Sequence, residues 1–116
     1  MRGLGRHLVI DLYQVSPSVL KDSEFLLKLL ERAASESGAT IIKSFAHRFS
    51  LQGVSCVVVI GESHVTIHTW PEKNYAALDF FSCSSLIDLD KAIRIILTGL
   101  NTQTCQITSI ERGISY

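Results

Sequence analysis

The chain has 116 residues, a length that suits one domain rather than two. With 47% hydrophobic and only 19% charged residues, it can bury enough surface to offset its conformational entropy, which excludes intrinsic disorder. Eleven Lys and Arg cancel eleven Asp and Glu, so no overall field draws the chain to nucleic acid or an anionic membrane, and neither partner is expected.

No apolar run reaches the roughly 18 residues of a membrane span, and MRGLGRHLVIDLY lacks the layout of a cleavable secretion signal, so a cytoplasmic location is expected. Cys56, Cys83 and Cys105 are odd in number and show no CxxC spacing. Neither a disulfide framework nor a zinc site is expected, and at least one thiol is free.

From Gly5 to Val15, GRHLVIDLYQV sets Leu8, Ile10 and Leu12 on one face and His7, Val9, Asp11 and Tyr13 on the other, which predicts a strand. Pro17 and Ser18 interrupt it. Phe25, Leu26, Leu29, Leu30, Ala33 and Ala34 then recur at helical spacing, predicting a helix from about Asp22 to Ser37 that Gly38 ends. Four short runs follow, ATIIKSFAHRF, VSCVVVIG, SHVTIHTW and YAALDFFSC, rich in β-branched or aromatic residues and broken by Gly or Pro signals. Leu51-Gln52-Gly53 is the turn between the first two. Asp88 or Asp90 caps a second helix that buries Ala92, Ile93, Ile96, Leu97 and Leu100, and TCQITSIER returns as a last strand.

The order β-α-β-β-β-β-α-β predicts an α/β (α+β) fold: a two-layer sandwich of a mainly antiparallel sheet with two helices on one face. Two helices cannot cover both faces of such a sheet. The run Val54 to Ile60 is apolar at nearly every position, which suits a strand buried on both sides. Stacking of sheet on sheet in a homodimer meets that demand.

Polar chemistry concentrates in GESHVTIHTWP, between Gly61 and Pro71, where His64, Thr66 and His68 share a strand face. Ser63 with His68 and Cys83 has the residue types of a nucleophile and base. Five residues along one strand span about 16 Å, however, so Ser63 and His68 of a single strand do not touch. The plainer alternative is a turn serine opening a strand that carries a hydrogen-bonded histidine.

GRHLVIDLY near the start, ESGATI after the first helix, HRF, GVSCVVVIGESHVTIHTWPE, YAALDFFSC and a late ERG occur in this order. Over nearly its whole length the chain resembles the small prokaryotic S-adenosylmethionine decarboxylases, most specifically in ESHVTIHTWPE. The resemblance implies a proenzyme that breaks its own Glu62–Ser63 bond. The Ser63 hydroxyl attacks the Glu62 carbonyl in an N-to-O acyl shift, and loss of the Ser63 α-proton then eliminates the Glu62 carboxylate. Ser63 becomes a pyruvoyl group, and the products are a β chain, residues 1–62, and an α chain, residues 63–116. The acyl shift needs strain and oxyanion donors, and Gly61 is expected to permit a strained turn. The pyruvoyl group forms a Schiff base with the substrate amine and acts as electron sink for loss of carbon dioxide, so no external cofactor is implied.

At matching positions the resemblance implies the following roles. His68 takes the Ser63 α-proton, Ser55 helps hold the intermediate, and Cys83 is the acid that protonates carbon after decarboxylation. Glu72 accepts hydrogen bonds from ribose hydroxyls, Phe49 stacks on adenine beside the sulfonium, and Trp70 adds a wall. Asp11 and Tyr13 are candidates for the pocket floor, with Asp11 toward the substrate amino group. The resemblance also implies a homodimer in which Ser63 and Cys83 come from one chain and Phe49, Ser55, His68 and Glu72 from the other. Cys56 and Cys105 are expected to be small core residues. The chain ends at ERGISY, shorter than many relatives, and no acidic cluster points to a metal or an activating diamine. Alternatives are a pyruvoyl decarboxylase of a basic amino acid such as arginine, for which Glu72 and Phe49 would have no use, and a non-catalytic dimeric binding module.

Overall fold

The computed structural model describes residues 3–50 and 52–115. Met1 and Arg2 of the opening segment, Leu51 of the turn and Tyr116 of ERGISY lie outside the described residues. Six strands form one sheet: β1 (Gly5–Leu12), β2 (Ile41–Arg48), β3 (Val54–Ile60), β4 (Ser63–Trp70), β5 (Tyr75–Ser82) and β6 (Cys105–Arg112). The order across the sheet is β2-β3-β4-β5-β1-β6, so β2 to β5 form a meander and β1 lies between β5 and β6. All five pairings are antiparallel.

Three α-helices accompany the sheet: α1 (Pro17–Leu20), α2 (Ser23–Glu36) and α3 (Leu89–Gly99). The two expected helices are α2 and α3. The Asp22 side chain accepts from the Phe25 N–H at 3.0 Å, and Asp88, rather than Asp90, caps α3 through the Lys91 N–H at 3.0 Å. The single turn α1 is an addition to the expected order. It arises because β1 stops at Leu12, short of the expected Val15: Gln14 takes a left-handed φ of 58°, and Pro17 then supplies a helix-compatible first residue.

Side-chain alternation places Leu8, Ile10 and Leu12 under the helices with Val54, Cys56, Val58, Val65, Ile67, Leu78 and Phe80, all buried. From α2 come Leu26, Leu29, Leu30, Ala33 and Ala34, whereas Phe25, in the same apolar run, points outward at 40% exposure. Leu97 is only partly buried, and Ile95 joins the α3 core face. Gly99 lets α3 approach α2 closely, since a Cβ there would stand 2.4 Å from Leu29 Cδ1. No helix is long and apolar enough to cross a membrane among the described residues.

Among the described residues, the opposite face carries no helix. The β3 strand is therefore buried on one side only within the protomer: Ser55 and Val57 are half-buried and Val59 is exposed. One polar side chain of β4, Thr69, points into the core, and it ties α1 to the sheet. Its hydroxyl accepts from the Val54 N–H at 2.9 Å and donates to the Leu20 carbonyl at 2.8 Å. Thr69→Val conserves volume but leaves both backbone groups without that partner, and an expected loss of about 1–3 kcal/mol is readable by denaturant unfolding.

Candidate active site

Strand register assembles the site on the uncovered face. Asp11 lies opposite Ala77, Ala77 opposite His68, His68 opposite Ser55, and Ser55 opposite His47, one transverse row across five strands. Within it, Ser55 Oγ and His68 Nδ1 are 2.7 Å apart. That contact pins the ring and leaves Nε2 without a hydrogen-bond partner among the described residues. One pleat further on, Trp70 pairs with Tyr75, their rings 5.3 Å apart, and Tyr13 lies 5.6 Å from the same Tyr75 ring.

Beside this row lies a cleft of about 650 Å³ lined by Phe49, Gln52, Ser55, His68, Trp70 and Glu72. Phe49 and Trp70 are 54% and 39% exposed, so their rings are available to a ligand rather than spent on the core. The Phe49 N–H donates to the Gly53 carbonyl at 2.8 Å, closing the β2–β3 turn. A Cβ on Gly53 would come within 2.8 Å of the Thr69 carbonyl, so glycine is required where this turn meets β4. Glu72 is exposed on a 3-10 turn, Pro71–Lys73, that the left-handed Asn74 terminates.

Asp11 and Tyr13 do not line that cleft. They flank it across β5, where the Tyr75 hydroxyl donates to Asp11 Oδ1 at 2.5 Å. Hydrogen bonding to the carboxylate, with burial and the Asp11 charge, pushes the Tyr75 phenol up to about 12. Tyr75 is a member of this end that sequence reasoning missed. Its position directly after the turn gave no signal, because only register brings it between Trp70 and Tyr13.

Ser63, Glu62 and Cys83 gather at the other end of β4. Ser63 opens the strand with φ 148°, a conformation that side chains rarely adopt. The strain thus sits on Ser63 itself and not on Gly61, whose φ is not positive and where a Cβ would meet only ordinary contacts. The Glu62 carbonyl accepts from the Cys83 N–H at 2.9 Å, while the Glu62 side chain accepts from the Thr40 N–H at 3.2 Å. A backbone donor is therefore already aimed at the carbonyl of the 62–63 bond. Of the three thiols, Cys83 alone is exposed; Cys105 is half-buried, and burial with the nearby Glu31 charge pushes Cys56 up to about 11.

The five steps from Ser63 to His68 run along one extended strand, about 16 Å by strand rise. One protomer consequently unites Ser55, His68, Phe49, Trp70 and Glu72, and separately Ser63, Glu62 and Cys83, but does not join the two groups. Between them lies a third cluster that the sequence left unread. His7 Nε2 is 2.9 Å from Asp79 Oδ1, the His7 and His64 rings meet edge to face at 6.3 Å, and Arg112 lies over Phe81 at 5.4 Å. The alternation that put His7 and His64 on the uncovered face was legible, but their meeting required β4, β5 and β1 to pair in this order.

Comparison with known proteins decides the family. A model of the S-adenosylmethionine decarboxylase family matches residues 6–113. The chain is 46% identical over 113 residues to the S-adenosylmethionine decarboxylase proenzyme of Thermotoga petrophila, covering 97% of this chain and 87% of that one. It is 40% identical over 114 residues to the proenzyme of the same name from Clostridium tetani, covering 98% and 90%. The adenosylmethionine decarboxylase from Aquifex aeolicus superposes with a TM-score of 0.90 at 34% identity, covering 100% of this chain and 96% of that structure.

The chain belongs to the S-adenosylmethionine decarboxylase family. The family is of the proenzyme type, and the two-layer fold expected from the sequence is that of the Aquifex aeolicus structure. In Asp11→Asn the charged acceptor of the Tyr75 hydroxyl is gone, so the phenol should titrate well below about 12, back toward its ordinary 10.0, in an ultraviolet tyrosinate titration.

Proposed function

We propose that this chain cleaves itself between Glu62 and Ser63 and then decarboxylates S-adenosylmethionine, acting as a dimer whose uncovered sheet faces stack. The observation that carries the reading is the cleft that gathers two available aromatic rings, a carboxylate and the Ser55–His68 pair. Those groups match the substrate part by part. Phe49 and Trp70 offer π-faces to adenine and to a sulfonium cation. Glu72 has two acceptor oxygens for vicinal ribose hydroxyls. Asp11, steadied by Tyr75, offers a carboxylate to the substrate amino group, and Tyr13 walls the same end.

The surroundings of Ser63 fit its conversion to a pyruvoyl group: a strained φ and the Cys83 N–H on the preceding carbonyl. Once formed, that group supplies the electron sink for release of carbon dioxide. The chain's own residues do the rest. His68, held at Nδ1 by Ser55, presents Nε2 to take the Ser63 α-proton, and the exposed Cys83 thiol returns a proton to the substrate α-carbon.

The dimer answers two needs at once. It covers Phe45, Val57, Val59 and Phe81, which no helix shields on this face. A two-fold axis lying in the interface and running across the strands also exchanges the ends of the sheet, so the Ser63 end of one copy meets the His68 end of the other. The defining experiment is intact-mass spectrometry under denaturing conditions with a carbon-dioxide release assay on carboxyl-labelled S-adenosylmethionine. Chains 1–62 and 63–116, the latter with a pyruvoyl terminus, together with label release, are expected; a lasting single chain that releases no label would refute the proposal. Ser63→Ala and His68→Ala chains, each uncleaved alone, should yield cleaved His68→Ala chain after co-refolding. Absence of cleavage in that mixture would place His68 in the same protomer as its Ser63, against the shared site.

A further inference from the structure

His64 stands beside the reactive serine, and none of the roles above uses it. Its Nδ1 lies 3.3 Å from Ser63 Oγ, and among the described residues it is that hydroxyl's only hydrogen-bond partner. The Cys83 N–H is at the same time 2.9 Å from the Glu62 carbonyl oxygen. A base on the nucleophile, a donor on the electrophile and a strained φ of 148° between them therefore occur within a single protomer.

We propose that His64 is the general base of the acyl shift, so that the first half of self-cleavage is completed in cis and only the second half draws on the partner's end of the sheet. This rests on the self-processing reading above. His64 Nδ1 takes the Ser63 hydroxyl proton as Oγ bonds to the Glu62 carbonyl carbon. The carbonyl electron pair moves to oxygen, where the Cys83 N–H holds the oxyanion. The pair then returns, the bond from the Glu62 carbon to the Ser63 nitrogen breaks, and the imidazolium gives its proton to that nitrogen. The product is an ester isomeric with the starting chain, and no outside reagent enters. His68, about 16 Å along the strand, has no part in these transfers and serves the later loss of the α-proton.

The groups facing His64 keep its ring in the accepting form. They are His7 from β1, Asp79 and Phe81 from β5, Val59 from β3 and Arg112 from β6. Burial lowers the His64 pKa first, and His7 and Arg112 lower it further, while Asp79 opposes them. Asp79 is itself engaged by His7 Nε2 at 2.9 Å, and the Arg112 guanidinium reaches His7 Nδ1 at 3.5 Å. Arginine can only donate, so His7 Nδ1 accepts and its Nε2–H points to Asp79. A ring that stays neutral to below the ordinary histidine range can accept the serine proton at neutral pH.

The test separates the two halves of cleavage. Full-length wild-type, His64→Ala, His64→Gln and His68→Ala chains are refolded, checked by circular dichroism, sampled over time and treated with hydroxylamine, which cuts esters and spares amides. His68→Ala should accumulate an uncleaved chain that hydroxylamine cuts at 62–63. The His64 variants should instead persist as hydroxylamine-resistant chain, with the first step slowed roughly 100-fold, the lower range for loss of a general base. Added imidazole should restore part of the rate in His64→Ala, and the wild-type step should slow as pH falls through the lowered His64 value. A folded His64 variant that forms ester at the wild-type rate, or one that stalls as the ester, overturns the assignment while leaving self-cleavage intact. Should His64→Ala fail to fold, His64→Gln decides on the same criterion. A wild-type chain that never cleaves refutes the self-processing reading, and this inference with it.

Discussion

Everything functional in this protein depends on the two-residue alternation of β4 and on the register that β3 and β5 hold against it. Val65, Ile67 and Thr69 are buried beneath the helices, and this burial turns His64, Thr66 and His68 to the uncovered face. A slip of one residue would bury the histidines and expose the core, so the hydrophobic pattern holds the chemistry in place. The same register sets Ser55 across from His68 and Ala77 on its other side, where the small side chain leaves room between His68 and Asp11.

The uncovered face is organised along the strands as well as across them. Aromatic rings and a carboxylate collect at the Trp70 end, Ser63 and the exposed Cys83 thiol at the other end, and the His7–Asp79 and His7–His64 contacts lie between. Extended backbone keeps the two ends apart within one protomer. A second sheet laid in the opposite sense, as in the dimer proposed above, would unite them. In that arrangement one surface serves both assembly and chemistry, and the apolar side chains of β2 and β3 become interior.

Electrostatics on this face are set by local contacts and not by net charge, which is zero for the chain. The His64 pKa is lowered and that of Tyr75 raised, each toward its neutral form, and the causes differ. Tyr75 owes its shift first to the Asp11 hydrogen bond, whereas His64 owes its shift first to desolvation. A neutral histidine next to a serine hydroxyl and a neutral phenol holding a carboxylate are both suited to moving or fixing protons without a metal ligand set.

Six strands and the two main helices were legible in the chain, because period-two and helical spacings report which residues face a core, and Asp22 and Asp88 marked the helix starts. The motif ESHVTIHTWPE likewise marks Ser63, His68 and Glu72 as candidate site residues. Local pattern could not reveal the turn α1, since it follows from Gln14 entering the left-handed region, nor that strain lies on Ser63 rather than Gly61. Nor could it reveal that Tyr75 holds Asp11, or that His7, Asp79, His64 and Arg112 converge. Those contacts join residues up to 105 positions apart, and only strand order decides them. Spacing within a strand is a local property that sequence determines by itself; which strands become neighbours depends on the packing of the whole sheet.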